Sequence, residues 1–264
     1  MSVTGLSDLI AIRSDQRRLQ RVGHKGADLI VPGNTLASFD AALMAGVDMI
    51  EFDVLPEQPY SPAQGKAGGH PREGQRLLLA HDYEDLAHRP AHTLGEALAH
   101  LSSARFAGIE FDVDLKLPGY ELAVLDALRE HRLVTRALIS SQYRESLAAL
   151  RAAEPGVRLG WSVPKVRRDP FTSRALTPVA LAWVSVARVV LPALASAAIK
   201  DGNCDALMVH WRLVTPRLVR SVRGAGGEIF VWTVDELPRI QALNALGVTG
   251  VISNDPRLFA ALAT

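Results

Sequence analysis

The alternation of two kinds of segment constrains the fold of this 264-residue chain more than any other feature. Short apolar runs typical of β-strands alternate with amphipathic runs typical of helices. The predicted strands are 21–24, 49–54, 77–81, 108–116, 137–141, 157–163, 206–211, 228–234 and 250–253. The predicted helices include 35–45, 93–104, 121–131, 143–153, 216–223 and 236–246. This alternation predicts an α/β fold with parallel strands, and the length suits a (β/α)8 TIM barrel of about 250 residues.

Nine predicted strands are one more than such a barrel contains. The linker between residues 54 and 77 shows no helical pattern and is rich in Pro, Gly and Gln. We therefore expect residues 77–81 to return antiparallel beside 49–54, as an extra β-hairpin arm after the second strand. A doubly wound open sheet is the rival architecture, but no GxGxxG turn follows the first strand. No domain boundary or internal repeat is evident, so we interpret residues 1–264 as a single domain.

Composition narrows the class of protein. Lys and Arg number 29 against 28 Asp and Glu, a net charge of +1 that argues against a dedicated nucleic-acid binder. The single cysteine, Cys204, rules out an intramolecular disulfide framework. The first residues contain no apolar run long enough for a signal peptide, so we expect a cytoplasmic location.

The segment 175–199 is strongly apolar and carries Arg188 as its only charge. Pro178 and Pro192 help to divide it into runs of about half the 20 residues that a spanning helix needs. We interpret it as a buried barrel helix. A hydrophobic lid, an oligomer face and adsorption to a membrane surface are the alternatives.

Charged residues share one face of two predicted strands. Side chains alternate along a strand, so Glu51 and Asp53 lie on one face of the second strand, opposite its apolar residues. The 109–117 run follows the same pattern. In a barrel the apolar face meets the helices, and working residues lie at the carboxyl ends of the strands. This selects Asp53, Asp114 and Lys116, with Glu51 one inward step below.

Converging buried carboxylates need a cation, an ammonium group or shared protons. Three carboxylates without a thiolate form a hard oxygen site that suits Mg²⁺ or Ca²⁺, although an internal network of ion pairs with arginines is the alternative. His24 ends the first predicted strand and His81 ends the hairpin arm. Two histidines beside such a cluster suit general acid and base roles, whereas His210 could line the mouth of the barrel.

Several short stretches together carry a resemblance to a known family. They are GHKGA at 23–27, PGNTLASFDAAL at 32–43, GVDMIEFDV at 46–54, LLLAHD at 77–82, TLGEAL at 93–98, FDVDLKLPG at 111–119, LISS at 138–141, VWTVDE at 231–236 and GVTGVISNDP at 247–256. In order and spacing, the sequence resembles the glycerophosphodiester phosphodiesterase family over residues 21–260. The resemblance implies a barrel enzyme that cleaves phosphodiesters with a divalent cation.

The resemblance also implies roles for individual residues. Glu51, Asp53 and Asp114 would hold the metal ion, and His24 and His81 would form the acid–base pair. Lys116 would face the phosphate, and Lys25 and Trp232 would contact the substrate.

Three departures from the family pattern stand out. Lys25 replaces an arginine, Gly33 replaces a glutamate, and Asp114 replaces a longer carboxylate. An ammonium acts on phosphate as a point charge, whereas a guanidinium binds it with two parallel hydrogen bonds. We hypothesise that the arginine and the glutamate were replaced together, as Lys25 and Gly33, if the two side chains normally interact. The family's usual insertion after His-Asp is nearly absent, and we expect the long hairpin loop at 55–76 to cover the pocket instead.

The sequence thus predicts a metal-dependent hydrolase of lipid metabolism that cleaves glycerophosphodiesters to glycerol phosphate and an alcohol. A lysophospholipase D-like phosphodiesterase is one alternative, in which 175–199 would contact the membrane. A non-catalytic glycerophosphodiester-binding module is the other.

Overall fold

The computed structural model describes residues 18–58, 75–165 and 177–262. Its strands are β1 (Gln20–Gly23), β2 (Met49–Pro56), β3 (Leu77–Leu79), β4 (Glu110–Leu115), β5 (Ala137–Ser141), β6 (Arg158–Val163), β7 (Ala206–His210), β8 (Glu228–Trp232) and β9 (Gly250–Ser253). Its α-helices are α1 (Leu36–Met44), α2 (Tyr83–His88), α3 (Leu94–Leu101), α4 (Glu121–Glu130), α5 (Arg144–Ala153), α6 (Thr177–Lys200), α7 (Pro216–Gly224) and α8 (Leu237–Leu246). The short helix α2 was absent from the predicted elements.

Eight parallel strands form a closed ring. Their order is β1-β9-β8-β7-β6-β5-β4-β2, and pairing of β1 with β2 closes it. The ninth strand, β3, lies outside the ring and pairs antiparallel with β2, where Leu79 stands opposite Val54. The predicted (β/α)8 barrel with a hairpin arm is confirmed, and the open sheet is excluded. Most of the 55–76 loop lies outside the described residues, so its predicted role as a cover stays a prediction.

Side-chain alternation on β2 and β4 sorts the residues as the sequence pattern predicts. Ile50, Phe52 and Val54 are fully buried in the layer between the strands and the helices. Glu51 and Asp53 point into the barrel instead, where β4 brings Asp112 and Asp114 into register beside them. The pleat therefore places four carboxyl groups at two adjacent levels inside one barrel.

An apolar layer lies inside the barrel, partly level with the carboxyl groups and partly below them. It is formed by buried side chains of β1, β2, β5, β7, β8 and β9, namely Val22, Met49, Leu138, Ala206, Met208, Phe230 and Ile252. The side chains of this layer close the barrel from below. The carboxyl groups consequently face the open, carboxyl-terminal end.

Helix α6 differs from the interpretation as a fully buried helix. Leu191, Ala195 and Ala198 pack into the protein, whereas Val186 on the other side is 63% exposed. The stretch Ala182–Lys200 is long and apolar enough to cross a membrane, yet α6 connects β6 to β7 and packs against α7. It is a barrel helix with a second, exposed apolar face.

Candidate active site

A cavity of about 570 Å³ opens at the carboxyl-terminal end of the barrel. Six of the eight predicted site residues line it, namely His24, Glu51, His81, Asp114, Lys116 and Trp232. Asp53 is fully buried beneath them. Lys25 is not among the described residues that line the cavity.

The three predicted metal ligands converge. Glu51, Asp53 and Asp114 each offer an oxygen, and these oxygens lie within 4.8 Å of one another. All three side chains are buried or nearly so. The ammonium nitrogen of Lys116 lies 2.5 Å from oxygens of both Asp53 and Asp114. One cation therefore faces three carboxyl groups.

The pKa values of the carboxyl groups in the cluster reflect burial first and neighbouring charges second. Burial, with the charge of Asp53, raises the pKa of Glu51 well above its usual range. Burial, with the charge of Asp114, raises the pKa of Asp112 to about 8. Burial also acts to raise the pKa of Asp53, but Lys116 and the other basic groups nearby together outweigh it and hold that pKa well below its usual range.

These observations fit a hard divalent cation. The donors are carboxylate oxygens, with no thiolate among them, which is the ligand chemistry of Mg²⁺ and Ca²⁺. Burial favours the neutral form of a carboxyl group unless a positive charge offsets it. The raised pKa of Glu51 and the unpartnered, buried Oδ1 of Asp112 are consistent with a cluster that lacks positive charge. The residues present therefore suit a bound metal ion.

Neutral hydrogen-bond donors orient the carboxylates. The amide of Asn34 donates to Asp53 Oδ2 at 2.9 Å and accepts from the Asp53 backbone N–H at 3.0 Å. The backbone N–H of Lys25 donates to Glu51 at 2.8 Å, and the Ser140 hydroxyl donates to Asp114 at 3.3 Å. Sequence reasoning missed Asn34 and Ser140. Asn34 has a left-handed backbone, with φ 56°, which asparagine tolerates better than most residues.

The hydrogen bonds of His24 define its tautomer. Its Nδ1 lies 2.6 Å from Asn254 Oδ1, and the Asn254 amide donates to Asp235 Oδ2 at 2.7 Å. A carboxylate only accepts hydrogen bonds, so the Asn254 carbonyl oxygen must face the histidine. Nδ1 therefore carries the proton and Nε2, 3.8 Å from Glu51, carries the lone pair. Burial lowers the pKa of His24, which favours this neutral form. Sequence reasoning missed Asn254 and Asp235.

His81 lies in a different environment at the edge of the cavity. Its side chain is 50% exposed, and its Nδ1 lies 3.0 Å from Asp82 Oδ2. His81 lines the same cavity as Glu51 and Asp114. The two histidines thus share one cavity but differ in burial and in hydrogen-bond partners.

The region of Lys25 and Gly33 contains a carboxylate that contacts both residues, Asp28. The Lys25 ammonium lies 3.7 Å from Asp28, and the Gly33 N–H donates to the same carboxylate at 2.7 Å. A Cβ at Gly33 would lie 2.5 Å from Asp28 Oδ1 and 2.6 Å from Lys25 Cβ. Asp28 and the Lys25 side chain therefore occupy the space that a longer side chain at Gly33 would need. The substrate contact of Lys25 stays a prediction.

Aromatic and cationic side chains form the far wall of the cavity. His210 packs edge-on against Trp232, with ring centroids 5.2 Å apart. The guanidinium groups of Arg239 and Arg212 lie 3.7 and 4.4 Å from the Trp211 ring centroid. The prediction that His210 lines the mouth is confirmed. The two arginines, which sequence reasoning missed, add positive charge to the cavity wall.

A family model places these features in context. The glycerophosphoryl diester phosphodiesterase family matches residues 24–55 and 110–258. A glycerophosphodiester phosphodiesterase of Caldanaerobacter subterraneus subsp. tengcongensis is 23% identical over 254 residues, which cover 89% of this chain and 93% of that protein. One from Arabidopsis thaliana is 23% identical over 244 residues, which cover 90% of this chain and 71% of that protein.

Solved structures share the fold. A putative glycerophosphoryl diester phosphodiesterase of Silicibacter pomeroyi superposes with a TM-score of 0.68 at 18% identity, covering 93% of each chain. A phosphodiesterase of Oleispira antarctica, in complex with the product sn-glycerol-3-phosphate, superposes with a TM-score of 0.66 at 19% identity. That match covers 93% of this chain and 97% of the other.

Proposed function

The chain belongs to the glycerophosphoryl diester phosphodiesterase family, and from this premise we propose that it hydrolyses glycerophosphodiesters to glycerol phosphate and an alcohol. The observation that carries the proposal is the convergence of three carboxylates, one ammonium group and two histidines on one cavity. The name of the Caldanaerobacter relative and the product bound to the Oleispira enzyme support the same reaction.

Glu51, Asp53 and Asp114 would hold one divalent cation, Mg²⁺ or Ca²⁺, because these are the carboxylates that converge. When bound, such an ion neutralises phosphate charge and acts as a Lewis acid. Asn34 and Ser140 keep two of these carboxylates oriented through their hydrogen bonds. Partners of this kind commonly raise metal affinity.

We assign the general base to His24 and the general acid to His81. The Nε2 of His24 carries a lone pair, and its burial favours the neutral form, so it suits removal of a proton from water or from a neighbouring substrate hydroxyl. His81 is exposed at the cavity edge beside Asp82, where it can hold a proton for the leaving alkoxide. Lys116 supplies positive charge where negative charge develops on the phosphoryl oxygens.

A lysophospholipid is a second candidate substrate. Trp183, Val184 and Leu213 contribute an apolar stretch to the cavity wall, which suits an acyl chain better than free glycerol. For this substrate, the alternative role of 175–199, contact with a membrane surface, would apply. The non-catalytic binding module is disfavoured because the acid–base and metal-binding side chains are all present. The cytoplasmic location stays a prediction.

Turnover of purified protein tests the proposal. We expect hydrolysis of glycerophosphodiesters that needs Mg²⁺ or Ca²⁺ and stops with EDTA. His24→Ala and His81→Ala should each lower kcat by roughly 10²- to 10⁴-fold, the usual contribution of acid–base catalysis. His131→Ala, at the end of α4 and outside the cavity lining, is the matched control and should keep the wild-type rate. Near-normal turnover in His81→Ala would contradict the assignment, and metal binding without any turnover would favour the binding module.

A further inference from the structure

The outward side of α6 is an apolar surface. Trp183, Val186, Val190 and Leu194 recur at spacings of three and four residues, which places them on one helix face. They are 44%, 63%, 45% and 49% exposed. We call these four residues the α6 outer face. A surface helix normally directs polar residues outward, so a row of exposed apolar side chains marks an interaction surface.

The α6 outer face adjoins the candidate active site. Trp183 lines the cavity, as does Val184 beside it. The apolar surface therefore begins at the mouth and extends away from it along α6. A ligand lying on this surface would have direct access to the cavity.

The charge around α6 identifies the kind of partner. Residues 177–223 contain six Lys or Arg and two Asp, a surplus of four positive charges, although the whole chain carries only +1. Helix α7 packs against α6 and exposes Arg217 and Arg220. An apolar helix face flanked by cations and bearing a tryptophan is typical of proteins that adsorb to anionic lipid surfaces.

We propose that the α6 outer face docks on the surface of an anionic lipid bilayer and holds the cavity mouth against it. The helix lies on the bilayer and does not span it, because Leu191 and Ala195 are buried within the protein. A second copy of this chain fits less well, since a symmetric contact would bring two basic surfaces together. If the proposed function holds, docking would favour phosphodiesters embedded in the membrane over soluble ones.

Vesicle sedimentation tests the docking with two variants. Val186→Ser with Val190→Ser removes apolar area from the α6 outer face, and Arg217→Glu with Arg220→Glu reverses the neighbouring charge. Met44→Ser, at an equally apolar but distant position that is 80% exposed, is the matched control. The probes are vesicles of phosphatidylcholine alone and of phosphatidylcholine mixed with phosphatidylglycerol.

We expect wild type and Met44→Ser to sediment with the anionic vesicles and to bind less as salt increases. Each double variant should bind at least about tenfold more weakly. Lack of wild-type binding, or unchanged binding of both variants, would overturn the proposal. So would a dimer in sedimentation equilibrium that Val186→Ser with Val190→Ser dissociates, since the face would then meet a second copy.

Turnover of a soluble glycerophosphodiester, measured on the same samples, separates this proposal from the proposed function. Normal turnover in both double variants shows that they are folded, so their loss of vesicle binding supports docking. Vesicle binding by a wild-type protein without turnover would support docking and contradict the enzymatic function.

Discussion

At the scale of single residues, uncharged side chains organise the charged site. Asn34 contacts Asp53 through both ends of its amide, and Asn254 connects His24 to Asp235. In each of these amides, a neighbouring carboxylate accepts from the NH2 group, which leaves the carbonyl oxygen to accept from the other neighbouring group. The orientation of the metal ligands and the tautomer of the proposed base therefore depend on residues that themselves carry no charge.

Replacing Asn34 should weaken the site without removing any ligand. Asn34→Gly suits the left-handed backbone but leaves Asp53 without two hydrogen bonds. We expect metal affinity to fall roughly 10- to 100-fold and the free energy of unfolding to fall by about 1–3 kcal/mol. Calorimetric metal titration and urea denaturation measure the two quantities. Asn203→Ala, an exposed asparagine after α6, is the control, and unchanged metal affinity in Asn34→Gly would refute the orienting role.

Gly33 and Asp28 should behave as a coupled pair. Because a Cβ at Gly33 would collide with Asp28 and with Lys25 Cβ, Gly33→Ala should lower the free energy of unfolding by about 1–3 kcal/mol. The loss should shrink in an Asp28→Ala background, which a double-mutant cycle measures. Gly108→Ala, with no atom within 4 Å of the added Cβ, should have little effect. Strict additivity of Gly33→Ala and Asp28→Ala would show that the two sites are independent.

The same collision bears on the hypothesis that Lys25 and Gly33 changed together. While Asp28 is present, Lys25→Arg with Gly33→Glu should lose activity in the turnover assay, because the new side chain has no space. That loss would count against an exchange confined to two residues.

At the scale of elements, the sequence predicts those features that follow from the periodic pattern of apolar and polar residues. Alternation along β2 and β4 was enough to place Glu51, Asp53 and Asp114 inside the barrel, and the count of strands was enough to infer the hairpin of β3. Asn34, Ser140 and Asn254 could not be found in this way. Their roles depend on contacts between distant segments and on one left-handed backbone angle, neither of which has a periodic signal in the sequence.

Helix α6 illustrates a further limit of prediction from composition. Composition alone predicted a buried helix, because it cannot separate an apolar face that packs inward from one that faces outward. The structure shows both faces on the same helix. When a helix is apolar on all sides, only the structure can show which of its faces are buried and which are exposed.

Local packing predicts opposite effects on stability for alanine substitutions at two glycines, one inside the barrel and one in a helix. A Cβ at Gly160 of β6 would lie 2.9 Å from Leu138 and from Met208 inside the barrel, so Gly160→Ala should lower the free energy of unfolding by about 1–3 kcal/mol. Gly95 of α3 has no atom within 4 Å of such a Cβ, so Gly95→Ala should raise it by about 0.5–1 kcal/mol. Urea denaturation measures both, and stabilisation by Gly160→Ala would contradict the packing of this layer.

At the scale of the whole molecule, the barrel has a different chemistry at each end. At the amino-terminal end, Arg158 of β6 pairs with Glu110 of β4 and Glu228 of β8, each at 2.8 Å. These ion pairs connect neighbouring parts of the ring, and one guanidinium pairs with two carboxylates. Above the apolar layer, the carboxyl groups outnumber the single ammonium of Lys116. This more crowded group of carboxyl groups faces the cavity, where a cation and a phosphate could both bind.

The single thiol should report opening of the whole barrel. Cys204, just before β7, is 2% exposed, and burial raises its pKa to about 11. A thiol reagent such as dithionitrobenzoate attacks the thiolate, so at pH 8 the native protein should react slowly and the urea-unfolded protein completely. If labelling requires unfolding, Gly160→Ala should react about tenfold faster for each 1.4 kcal/mol of stability it loses. Equal labelling rates in wild type and Gly160→Ala would instead show that the β7 edge opens locally while the rest of the barrel stays folded.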